Sequence, residues 1–158
     1  MRIIKQVIQD EVFNEWKRIC KVETIPSWLN MNETYPEFVQ WYLSEIERKD
    51  IRKIYIISSD DWQKLSLNFR LLDVVRTFRG ATIPENHVED IREKQKVLDK
   101  LEFKFVYVAH KITGPFTIIE GNRRSVALQD LNKLVGTQIY LGISKEIQNF
   151  LWARYSYL

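Results

Sequence analysis

From Phe103 onward the sequence changes character in a way that few architectures accommodate. Phe103 to His110 (FKFVYVAH) is strand-like, Lys111 to Pro115 (KITGP) carries the Gly-Pro of a turn, and Phe116 to Ile119 (FTII) is a further β-branched run. Glu120-Gly121-Asn122 then turns the chain into Arg123 to Val135, where Ala127, Leu128, Leu131, Leu134 and Val135 recur at helical period. Gly136 falls where a C′ glycine closes a helix, and Thr137 to Ile143 (TQIYLGI) is another strand. Strand, turn, strand, helix and strand in so short a span demand a sheet with a helix lying on it.

Upstream the pattern is more helical. Ile4, Ile8, Val12, Trp16 and Ile19 form a helical stripe over Arg2 to Lys21, although Ile3 to Ile8 equally suits a short strand before a helix starting near Asp10. Pro26 ends that segment. Thr34 and Pro36 suit the N-cap and first turn of a helix with Phe38, Val39, Tyr42, Leu43 and Ile46 on its apolar face. Ile51 to Ser58 (IRKIYIIS) reads as a strand. Trp62 to Phe78 is mostly helical and closed by Gly80, with the alternation of Leu65, Leu67 and Phe69 leaving a strand open there. Pro84 to Phe103 reads as a helix with Val88, Ile91, Leu98 and Leu101 inward, and Glu89, Asp90, Arg92, Glu93, Lys94 and Lys96 as a solvated face. The expected fold is therefore α+β. In this reading 1–158 is a single domain: 1–102 is mainly helical with one strand, and several of its helices pack on a small mixed β-sheet carried by 103–158.

Composition narrows the function classes. The 158 residues are 45% hydrophobic and 28% charged, enough apolar surface for a core and too much for a disordered chain. No apolar run approaches the ~20 residues of a membrane helix, and MRIIKQVIQDEVF lacks the pattern of a secretory signal. A lone cysteine, Cys20, excludes an internal disulfide framework and a multi-thiolate zinc cluster, and on its apolar stripe it reads as a small core residue. A cytoplasmic protein with no membrane partner is the expectation. The net charge of +3 is a mild bias without the Lys/Arg stripe of a phosphate-neutralising nucleic-acid binder. The nearest approach to one is Arg70, Arg76 and Arg79 around Asp73, which reads as a solvated face or as a nucleic-acid contact.

The chemistry concentrates in Ile118 to Leu128 (IIEGNRRSVAL). Gly121 gives a turn in which backbone or ligand can approach closely, and Asn122 is a good N-cap. The helix then opens with Arg123 and Arg124. A helix N-terminus already carries about half a positive charge, so each cation in its first turn is disfavoured by about 0.3–1 kcal/mol. A bound phosphate would resolve the conflict, held by turn amides and a bidentate guanidinium; so would carboxylates elsewhere in the chain, Glu120 among them. Glu120 has two readings too, as a structural acceptor for Arg123 or Arg124, or as a catalytic residue that holds a metal ion or activates a hydroxyl.

This strand–turn–helix resembles the ParB/sulfiredoxin superfamily over Phe103 to Ile143. The ParB branch has Gly-Glu-Arg-Arg after a strand where this chain has Gly121-Asn122-Arg123-Arg124, and Glu120 stands where many members have Asp. The resemblance implies a nucleotide-phosphate site: Gly121, Asn122, Arg123 and Arg124 would cradle the phosphates of ATP or CTP, and Glu120 would place Mg2+ or a water. Asn122 occupies the position of the sulfiredoxin cysteine, which removes sulfinic-acid reduction. Arg123 replaces the histidine of the kinase-like branch. No helix-turn-helix follows the motif, so a complete chromosome-partition protein is not implied. A setting in phage or bacterial defence follows only from the family.

Three accessory residues complete the candidates. His110 ends a strand beside the motif hairpin, either within reach of the same pocket or as a capping group. Asp60 and Asp61 follow a strand, where α/β folds place ligands, or simply form an acidic first turn. His87 begins a helix and receives no role. The leading expectation is a nucleotide-phosphate-binding protein, as an NTP-dependent hydrolase or phosphotransferase. The alternatives are a ParB-like DNA-binding protein or nuclease, and a non-catalytic interaction or inhibitor protein that has kept the fold. The mark of the last would be an Arg123 matched by the protein's own carboxylates with no hollow beside it.

Overall fold

The computed structural model describes residues 1–20, 39–81, 86–98 and 104–156. The chain runs β1 (Arg2–Val7), α1 (Gln9–Cys20), β2 (Gln40–Glu45), a 3₁₀ turn (Arg48–Lys53), β3 (Ile54–Ile56), α2 (Asp60–Gln63), α3 (Leu71–Gly80), α4 (Asn86–Val97), β4 (Phe105–Ala109), β5 (Phe116–Glu120), α5 (Asn122–Asp130) and β6 (Gln138–Ile143). Two further 3₁₀ segments follow, Lys145–Asn149 and Leu151–Ser156. The strands form one six-stranded sheet in the order β1-β2-β6-β4-β5-β3. It is mixed: β4 pairs parallel with β6 and β3 pairs parallel with β5, while the remaining pairs are antiparallel. The fold is α+β, as the sequence predicts.

Helices cover both faces, and the strand residues sort between them with the two-residue period of a pleat. Phe105, Tyr107, Ala109, Ile118, Ile139 and Leu141 face α2 to α5, where they meet Trp62, Val74, Phe78, Ile91, Val126 and Ala127. Val106, Val108, Ile119 and Tyr140 face the other way, toward Val12 and Trp16 of α1 and Ile147 and Phe150 of the C-terminal 3₁₀ segments. Because both faces are covered, β4 is buried at every position, which is why it reads as a continuous apolar run rather than an alternation.

Covered faces also explain where the sequence misleads. Residues 40–46 satisfy helical spacing, yet 40–45 is β2: Trp41 and Leu43 face the α1 side, and Ser44 and Ile46 are buried as well. Bulky apolar side chains stand on both sides of this segment, Trp41 and Leu43 on one and Tyr42 and Ile46 on the other, so the period of two is blurred and a helical template fits by default. The first hundred residues thus bring three strands to the sheet, not one, and the sheet is shared between the 1–102 and 103–158 portions. At the N-terminus the strand-then-helix alternative holds, with β1 ending at Val7 and α1 starting at Gln9. The expected strand Ile51–Ser58 shrinks to Ile54–Ile56 behind the 3₁₀ turn, and the expected helix Trp62–Phe78 is two helices separated by turns. Within that gap Arg70 makes an isolated bridge to Tyr55.

The helix expected over Arg123–Val135 stops at Asp130. Asn132 adopts φ +57, the Lys133 amide bonds back to the Leu128 carbonyl at 2.8 Å, and Leu131 and Val135 stand exposed. Gly136, also at positive φ, bonds the Ile46 carbonyl at 2.8 Å and so belongs to the connection, not to a helix cap. Thr34, Pro36 and Phe38 of the expected helix before β2 lie outside the described residues, as does Pro26.

Candidate functional site

The motif is built where β5 hands over to α5. Gly121 is the N-cap, at φ +95 and ψ +22, a left-handed conformation that costs an ordinary side chain about 1–2 kcal/mol. It has another reason to be glycine: a Cβ there would lie 2.7 Å from Cδ1 of the buried Phe105 ring. The close approach that Gly121 permits is therefore to the sheet's own core. Its carbonyl accepts the first helical bond, from the Ser125 amide at 2.8 Å.

Asn122 does not cap α5 with its side chain. Its Oδ1 accepts the Ile57 amide at 3.1 Å, just past the end of β3, and so joins two segments that are far apart in sequence. Ser125 anchors the same turn to β4 through a buried 2.8 Å contact with the Tyr107 hydroxyl. Burial holds the Tyr107 phenol well above the ordinary tyrosine range, so it stays protonated.

The arginines part company. Arg124 turns inward and is only 6% exposed; its Nη2 donates to Glu120 Oε1 at 2.7 Å, four residues back at the end of β5. Its guanidinium lies 5.1 Å from the centre of the Phe105 ring, on which a cation is attracted to the π face. Arg123 turns outward to α4, where Nη1 pairs with Asp90 Oδ2 at 2.9 Å and Nε donates to His87 Nδ1 at 3.0 Å. Accepting that bond requires an unprotonated Nδ1 on His87. The imidazole is itself fixed by stacking on Trp62 of α2, with ring centroids 4.1 Å apart and planes within 8°. The conflict between two cations and a positive helix end is met from inside the protein, by Glu120 for one and by Asp90 with His87 for the other.

The remaining candidates are not assembled around this point. His110 cannot share the motif's pocket, because β4 runs antiparallel to β5. Ala109, the last residue of β4, pairs with Phe116, whereas Glu120 pairs with Val106 at the opposite end. Asp60 and Asp61 open α2 with exposed side chains, and the carboxylate that faces Arg123 is Asp90 instead. Ser59, the N-cap there, makes no side-chain cap bond. Of the arginines around α3, Arg76 pairs with Asp73 and Arg79 with Asp130, while Arg70 hydrogen-bonds the Tyr55 phenol. Among the described residues, no group of three or more His, Cys, Asp and Glu side chains is arranged to hold a metal ion, and no helix is long and apolar enough to cross a membrane.

Sequence reasoning missed Asp90 and His87, which it assigned to a solvated face and to no role. Their only signal was an acid and an imidazole spaced i, i+3 on one side of α4, and nothing local ties them to Arg123. Compared with protein-family models, curated proteins and solved structures, the chain matches none. The resemblance to the ParB/sulfiredoxin superfamily therefore stands on the motif residues alone.

Proposed function

We propose that this chain is a non-catalytic binding protein in which the strand–turn–helix motif serves as a structural joint and performs no phosphoryl chemistry. The observation that carries the reading is the pairing of the motif's charges: Arg124 with Glu120, and Arg123 with Asp90 and His87. A nucleotide phosphate placed at this turn would meet an Arg123 already engaged by Asp90 and His87, and would find Arg124 already beneath the surface. A general base or metal-holding role for Glu120 would leave the Arg124 cation without its carboxylate in a site where desolvation is severe. Asn122 and Gly121 support the same reading, since each makes its close contact with the protein's own β3 and β4.

The test compares ligand response with motif integrity. Thermal unfolding of wild type, Arg123→Ala and Glu120→Gln is followed with ATP, CTP and GTP, each with and without Mg2+, because any ligand of the folded state raises the midpoint by mass action. The expected result is that Arg123→Ala responds to every nucleotide as wild type does and that no variant or wild type releases phosphate. A nucleotide shift abolished by Arg123→Ala, or phosphate release lost in Glu120→Gln, would return the motif to the nucleotide-binding or phosphotransfer reading.

A further inference from the structure

The other end of β5 holds a separate set of cations in a different state. There the 3₁₀ turn Arg48–Lys53 and the tip of the β4–β5 hairpin border an open cleft of about 360 Å³, lined by Arg52, Lys53, Tyr55, Lys111, Thr113 and Pro115. Three of those side chains are cations and none is an acid. The acids of the adjoining turn are engaged elsewhere: Asp50 takes the Met1 amine at 2.7 Å, and Glu47 takes Lys49 at 3.0 Å. Among the described residues, no ion pair involves Arg52, Lys53 or Lys111.

The cleft is also braced. Lys53 Nζ donates to the Thr113 carbonyl at 3.1 Å, which ties the 3₁₀ turn to the hairpin tip. The tip is closed by a 2.9 Å bond from the Gly114 amide to the Lys111 carbonyl, and a Cβ on Gly114 would lie 2.7 Å from the Phe116 ring. Tyr55, half-buried in the wall, receives a hydrogen bond from Arg70, which holds that guanidinium's pKa above its ordinary value. The wall is thus a phenol ring and a pyrrolidine ring, bordered by cations that have no acidic partner among the described residues.

Cations of one sign converging on a hollow repel one another and focus a positive field into it, which raises the local concentration of anions. The size falls at the lower end of small-molecule sites, roughly 300–1,000 Å³. Three positive groups match a multiply charged anion better than a single carboxylate, and the Tyr55 ring and the apolar Pro115 ring suit a base or sugar beside it. We propose that this cleft binds phosphate ester groups, as carried by a nucleoside polyphosphate or by successive nucleotides of a single strand. The proposal rests on the binding-protein reading only in supposing that nothing is turned over there.

Titration calorimetry on the full chain at low salt tests it, with pyrophosphate, ATP, CTP and a ten-residue oligothymidylate as probes. Saturable binding of at least one probe is expected, weakened at least ten-fold in the double variant Arg52→Glu/Lys111→Glu and unchanged in Arg123→Ala. Both substituted residues are exposed, and an unaltered melting midpoint of the free variant checks that the fold is kept. Equal binding of ATP and the oligonucleotide at low salt supports free nucleotide as the source. Preference for the oligonucleotide, with affinity falling steeply as salt rises, supports a strand. Absence of saturable binding by every probe, or equal affinity in the charge-reversed variant, overturns the assignment. Phosphate release from bound ATP would contradict the non-catalytic reading alone and leave the site standing.

Discussion

At the C-terminal end of β5 two arginines are held against Glu120 and against Asp90 with His87. At its N-terminal end, four residues and about 13 Å away at the usual strand rise, Arg52, Lys53 and Lys111 surround a cleft with no acid in its lining. The motif end has the residues of a ligand site, yet the protein neutralises them itself. The cleft end is scattered surface charge along the sequence, yet in the fold it converges, with no acid among the described residues to compensate it. Adjacency along the chain shows which charges are crowded, whereas only the pairing of strands and helices shows which of them are compensated.

Substitutions at the two ends should differ in kind, and the largest effects belong to the motif. Glu120→Ala removes one partner of a pair whose arginine is nearly buried, and is expected to cost about 3 kcal/mol of stability in urea unfolding. A cost below about 1 kcal/mol would make the pair a surface contact. Gly121→Ala combines a left-handed backbone with a clash against Phe105, and should cost about 2–4 kcal/mol by the same measurement.

Smaller effects sharpen the contrast. Asn122→Ala leaves the Ile57 amide without its acceptor and should cost about 1–2 kcal/mol, with faster hydrogen exchange at Ile57 as its local signature. Arg123→Ala breaks a pair whose side chains are 43% and 48% exposed, so about 0.2–1 kcal/mol is expected. Arg52→Glu and Lys111→Glu should each leave stability within about 0.5 kcal/mol of wild type, because neither side chain holds the fold together. A substantial loss there would mean that the cleft cations have structural partners and that the two ends are alike.

How much of this is legible from the residues differs from one position to the next. The β4–turn–β5–turn–α5–β6 order is readable, because the strand runs are short and rich in β-branched or aromatic residues and Gly114-Pro115, Gly121 and Gly136 punctuate the chain between elements. Glycine at 121 is readable as a tight turn, but what approaches it is not: Phe105 lies on a neighbouring strand, and the sequence distance conceals the contact. β2 mimics a helix because bulky apolar side chains stand on both of its sides and blur the two-residue period. The candidate site is half legible, in that Glu120 stands out as one acceptor for the arginines, four residues before Arg124. Asp90 and His87 are hidden because α4 meets α5 only in the folded chain. Arg52 and Lys111 are hidden for the same reason, since β3 pairs with β5 only across a parallel crossover.

The central claim is that the motif's buried cation belongs to its neighbouring carboxylate and to no external anion. A double-mutant cycle on Glu120→Leu and Arg124→Met measures this directly by urea unfolding. The account predicts strong coupling, about 2–3 kcal/mol, with the double variant more stable than Glu120→Leu alone. Additive single losses, together with a midpoint that rises in wild type but not in Arg124→Met when nucleotide is added, would contradict it.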